Sequence, residues 1–110
     1  MTLLLAIVTL ESGGNNLAHG RFGEVGALQV RACVVRDVNR RYGTHYTLAS
    51  MTNRLAATDV FGRYLSLYAT EKRLGRPVTD ADRARIWHRG PQGYLTDKTN
   101  YAARVAALMK

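Results

Sequence analysis

Glu11 is the residue of this chain whose surroundings are best suited to acid chemistry. An apolar run, Leu3 to Leu10, precedes it and is long enough for about two helical turns at roughly 3.6 residues per turn. Gly13, Gly14, Asn15 and Asn16 follow closely and break the helix. The spacing therefore predicts a carboxylate at the C-terminal end of a buried helix, where a loop opens. The negative end of the helix dipole and desolvation by the apolar run both disfavour the charged form. Both push the pKa toward the working range of a general acid. The alternative reading is a solvated Glu at a helix end, as most surface Glu residues are.

The elements around Glu11 read as all-α, α+β at most, with a small Gly-rich loop or β-hairpin. That loop holds Gly13, Gly14, Gly20, Gly23 and Gly26, and Phe22 is expected to be its buried anchor. From Gln29 the pattern turns helical, with Val30, Cys33, Val34 and Val38 on one face and Gly43 as the C-cap. Thr44 to Thr52 reads as a polar connection. The longest helix is expected from about Asn53 to Arg73, with Leu55, Val60, Phe61, Tyr64, Leu65 and Tyr68 as its core stripe. Gly62 within it costs about 1 kcal/mol relative to Ala, which suggests a close helix contact. Thr79 with Asp82 three residues on reads as a capping box for a helix over Asp80 to His88. After a loop carrying Tyr94, Thr96 or Asp97 is expected to cap a last helix that faces inward through Tyr101, Val105 and Leu108. Trp87 reads as core, and Tyr94 as the aromatic better placed in a cleft.

Three separated motifs resemble those of the lysozyme-like superfamily. Glu11-Ser12, a Gly/Asn-rich loop and then Gly26-Ala27-Leu28-Gln29 match the catalytic Glu-Ser and Gly-x-x-Gln of soluble lytic transglycosylases and goose-type lysozymes. Arg85 to Gly93, Arg-Ile-Trp-His-Arg-Gly-Pro-Gln-Gly, looks like the late motif. That motif is Tyr-Asn-Ala-Gly-Pro in the transglycosylases and Arg-Ile-His-Asn-Gly-Gly-Pro-x-Gly in the invertebrate-type lysozymes. Lys98-Thr99-Asn100-Tyr101 is similar to the Thr-x-Asn-Tyr segment that follows it. His88-Arg89 stands where the families have Asn and a small residue, and the cysteines of the invertebrate-type enzymes are absent.

The resemblance implies a lysozyme-like helical domain spanning residues 1–110, and a muramidase. Such an enzyme cleaves the β-1,4 bond between N-acetylmuramic acid and N-acetylglucosamine, as a lytic transglycosylase or a lysozyme. Glu11 would be the general acid, and Tyr101 would lie beside it, either bonded to it or simply as core. Gln29 would bind an N-acetyl sugar, or else be a polar residue at a helix start. Glu24 would position a water, or else be a solvent-facing loop residue. Ser12 would orient Glu11 or end its helix through its hydroxyl. His88 could hydrogen-bond a sugar in place of the family's Asn.

Composition narrows the partners without choosing among them. At 110 residues there is room for one core. A formal charge of +8 favours a polyanionic partner: cell wall, anionic lipid or nucleic acid. The basic residues form no obvious recognition helix, so a specific nucleic acid is not expected; a basic nucleic-acid-binding domain or a non-catalytic wall-binding module is the competing reading. The expected partners are peptidoglycan glycan strands and the anionic wall surface, met by a monomer. Cys33 is the lone cysteine, with Val34, Val35 and Val38 nearby, and reads as a buried, inert thiol. His19, His45 and His88 lack ligand spacing, so neither a metal nor another cofactor is expected. Leu3 to Leu10 lacks a basic n-region and a cleavage site, and is far short of the ~20 residues that span a bilayer. The expected place of action is the periplasmic or extracellular wall, reached by other export machinery or as a phage virion component.

Overall fold

Thr2 starts the first helix, its hydroxyl accepting from the Leu5 N–H at 3.2 Å. The computed structural model describes all 110 residues and the fold is all-α. Helix α1, Leu3–Ser12, buries Ala6, Ile7 and Val8 in succession, so its middle is covered on several sides. It packs against α5 (Asp80–Arg89) and α7 (Tyr101–Met109), and α5 in turn packs on α3 (Arg54–Tyr68). Helix α2, Ala32–Tyr42, lays Val34, Val35 and Val38 on α3 and ends on Gly43, as its sequence predicts. Twenty-two buried apolar residues form one core. No helix is long and apolar enough to cross a membrane.

The longest helix is shorter than its stripe suggested. α3 begins with Asn53, whose side chain accepts from the Ala56 N–H, and stops at Tyr68. Thr70 then caps a separate turn, α4 (Glu71–Leu74), by accepting from the Arg73 N–H. A threonine that bonds the backbone ahead of it competes with helix continuation. The buried stripe of α3 is Ala57, Val60, Phe61, Tyr64 and Leu65. Leu55, two residues before Ala57 and so roughly 200° around the helix, is 82% exposed and not core. Gly62 is exposed too, and a Cβ there would meet nothing within 4 Å, so no close helix contact explains it.

The capping box of α5 is present as the sequence predicts. Thr79 accepts from the Asp82 N–H at 3.1 Å, and Asp82 accepts from the Thr79 N–H at 2.9 Å. Within the polar connection Ala49–Thr52 forms a single 3₁₀ turn, and Gly93–Thr96 forms a short α6 where the sequence suggested a loop. α7 starts after Asn100 with no side-chain cap, so neither Thr96 nor Asp97 caps it.

The Gly-rich loop is not a hairpin of strands. Two isolated bridges, His19 to Val25 and Val25 to Val30, tie it together. Its second half is core: Val25, Ala27, Leu28 and Val30 are buried. Gly26 is required there. Its φ is +88°, and a Cβ would come within 2.0 Å of the Met51 carbonyl oxygen. Phe22, the expected anchor, lies at the loop tip and is 85% exposed; the loop is anchored by Val25, Leu28 and Val30 instead.

Candidate active site

Glu11, in the last turn of α1, looks into a cleft of about 630 Å³, within the range of ligand-binding pockets. The wall is shared by three regions. Phe22, Glu24 and Gln29 come from the Gly-rich loop, Arg31 to Cys33 from the start of α2, and Trp87 to Arg89 from the end of α5. Trp87 anchors the α5 side. It is buried as expected, its indole N–H donates to the Leu28 carbonyl at 3.2 Å, and its ring packs edge-on to Phe61. Arg31 crosses from α2 to donate to the Trp87 carbonyl at 3.0 Å.

Glu11 is half-buried, and loss of hydration pushes its carboxyl pKa up. The nearby charge of Glu24 adds to the rise, while the Tyr101 hydrogen bond and the Arg31 charge oppose it. The hydroxyl of buried Tyr101, the first residue of α7, donates to Glu11 Oε2 at 2.9 Å. Burial and the facing carboxylate push the phenol itself far above its usual range, so it stays a donor.

Glu24 shares the cleft with Glu11, and one of its oxygens accepts from the Phe22 N–H at 2.8 Å. Gly20 makes room for this. A Cβ there would stand 2.5 Å from Glu24 Oε2 and 2.6 Å from Gln29 Oε1. Gln29 is the one non-glycine residue with positive φ, at 51°. A conformation of that kind costs of order 1 kcal/mol and persists where its surroundings enforce it. Here the side-chain amide donates to the Gly26 carbonyl at 2.9 Å and the Ala18 carbonyl at 3.3 Å. Its donors serve the loop, and its carbonyl oxygen is the group left to bind a ligand.

His88 lines the cleft, and its ring stacks on Tyr101 with centroids 4.0 Å apart and planes 4° from parallel. Its Nδ1 lies 2.8 Å from Oδ2 of buried Asp97. Burial would raise the Asp97 pKa, but hydrogen bonds from Thr99 and His88 outweigh it and hold the carboxylate below its usual range. The pair fixes one edge of the imidazole and leaves Nε2 for the cleft.

Two expected residues lie elsewhere. Ser12 donates to the Ala27 carbonyl at 2.7 Å and accepts from the Gly14 N–H, so it ties the helix end to the loop rather than facing the cleft. Tyr94, on α6, is outside the cleft; Arg73 lies 6.0 Å from its ring centroid, because the α6 turn carries it to the α4 side. Cys33 is only half-buried and forms part of the cleft wall.

Arg31, Arg89 and Phe22 were not foreseen as cleft residues, nor Asp97 as the partner of His88. The one local signal was Asp97-Lys98-Thr99, an Asx turn in which the Asp97 carboxylate accepts from the Thr99 N–H at 3.0 Å. No group of three or more His, Cys, Asp or Glu side chains is placed to hold a metal ion. Comparison with protein-family models, curated proteins and solved structures finds no match to this chain.

Proposed function

We propose that this chain is a peptidoglycan-cleaving muramidase with Glu11 as its general acid. One observation carries the reading: a half-buried carboxyl of raised pKa, gripped by a buried tyrosine, at the wall of an open cleft. Glycosidic cleavage needs a proton delivered to the leaving oxygen and an oxocarbenium-like centre stabilised. Glu11 meets the first need. The free carbonyl of Gln29 and the outer edge of His88 supply directional contacts suited to N-acetyl sugars. The net charge of +8 supports attraction to an anionic wall, the proposed place of action.

The test is digestion of purified peptidoglycan with mass spectrometry of the soluble products. Cleavage that disappears in Glu11→Gln supports the proposal, and cleavage that persists in that variant refutes it. Products ending in 1,6-anhydro-muramic acid assign a lytic transglycosylase, in which Glu11 first gives and then takes the proton. Ordinary reducing ends assign a lysozyme and give Glu24 the role of holding the attacking water.

A further inference from the structure

We infer that Phe22 is a sugar-stacking platform at the mouth of the cleft, positioned to take the apolar face of a pyranose ring. The inference deepens the muramidase reading, on which it rests, by naming what one wall of the cleft recognises. An isolated exposed apolar residue needs no explanation by itself. Phe22 differs because its backbone is fastened while its ring is bare. Its N–H is held by the Glu24 carboxylate at 2.8 Å, and Gly20 pairs with the backbone of both Glu24 and Gly23. The loop thus supports the tip on both sides without burying the side chain, which is 85% exposed.

The ring belongs to the same cleft wall as Glu11, Glu24 and Gln29. The Arg21 guanidinium lies 5.5 Å from its centroid, leaving most of the ring to solvent. An aromatic face offers a broad apolar surface with a negative quadrupole, which suits the C–H groups on one face of a pyranose. Gln29 across the loop supplies the polar contact that such a ring needs at its edge. A platform and a directional acceptor beside an acid together describe a sugar subsite.

The experiment measures binding of the β-1,4-linked N-acetylglucosamine trimer by calorimetry, in the Glu11→Gln background so that nothing turns over. Phe22→Ala is expected to weaken binding about tenfold, and Phe22→Tyr to keep it within about twofold. Thermal unfolding of both variants should match the parent, since the side chain is exposed. Equal affinity in Phe22→Ala and the parent, equal losses in the Ala and Tyr variants, or no binding by the parent would each overturn the inference. Phe22-dependent trimer binding in a protein whose native sequence releases nothing from peptidoglycan would refute the muramidase reading and leave the sugar site standing.

Discussion

The Tyr101 hydroxyl donates to Glu11 Oε2 at 2.9 Å, joining the first helix to the last across ninety residues. Because this phenol cannot ionise in the working range, it always has a proton to give the ionised carboxylate. While that bond holds, a proton taken up by Glu11 is left Oε1, which in the proposed reaction is the oxygen that delivers it. His88 stacked on the Tyr101 ring holds the phenol in place.

Tyr101→Phe removes the contact that holds the Glu11 pKa down against burial. The Glu11 pKa is expected to rise further in this variant. On the proposed function, the alkaline limb of wall lysis should then move to higher pH, while the maximal rate falls because the carboxyl is no longer oriented. Carbon-13 NMR titration of the Glu11 carboxyl reads the same shift without activity. A titration midpoint that stays put or moves down would refute this account of the pair.

Glu11→Gln should stabilise the fold at neutral pH. A carboxyl whose folded pKa is raised binds more protons folded than unfolded, so stability falls as pH climbs from 4.5, the unfolded value, through the raised value. Gln keeps the acceptor for Tyr101 and carries no charge to desolvate. Its thermal midpoint should exceed the parent's at pH 7 and converge with it below about pH 4. An unchanged difference across that range would mean the gain is not electrostatic.

The reach of the sequence differed from place to place for physical reasons. Helix boundaries set by local groups were legible: Thr79 with Asp82, and Gly43 after Tyr42. The pairing of Glu11 with Tyr101 came from a family resemblance, since nothing near either residue announces a contact at that separation. Phe22 was misplaced because hydrophobicity predicts burial only where the fold brings a residue to the core, and this loop turns Val25, Leu28 and Val30 inward and leaves its tip outside. Arg31 and Arg89 escaped notice because sixteen Lys and Arg residues make any one inconspicuous until the fold sets it beside a cleft.

Asp82 is the most tightly held carboxylate of the α5 start. Bidentate bonds from Arg76 at 2.6 and 2.8 Å, together with the Thr79 N–H, hold it well below the usual carboxylate range despite its burial. A depressed folded pKa adds stability that is complete above the unfolded value of 3.8 and lost as pH falls toward the depressed one. Asp82→Ala should cost about 2 kcal/mol at pH 7 through the lost cap and carboxylate bonds. Urea titrations at a series of pH values should find that cost shrinking below pH 3.8; a constant cost would assign it to packing alone.

Asp97 governs which edge of His88 carries the proton. Its Oδ1 serves the Thr99 N–H and hydroxyl, at 3.0 and 2.6 Å, and its Oδ2 faces His88 Nδ1 at 2.8 Å. A carboxylate there can only accept, so neutral His88 must protonate Nδ1 and present a bare Nε2 to the cleft. Asp97→Asn keeps the volume and lets the amide oxygen continue to serve Thr99, which turns the NH₂ toward His88. Nδ1 must then accept and Nε2 must carry the proton. Long-range proton–nitrogen NMR at a pH where His88 is neutral should show the tautomer reversing, with a stability loss of about 1–2 kcal/mol. If Nε2 presents a lone pair to a sugar hydroxyl, this reversal should also raise KM for wall fragments more than it lowers kcat. An unreversed tautomer would mean that Asp97 does not orient the ring.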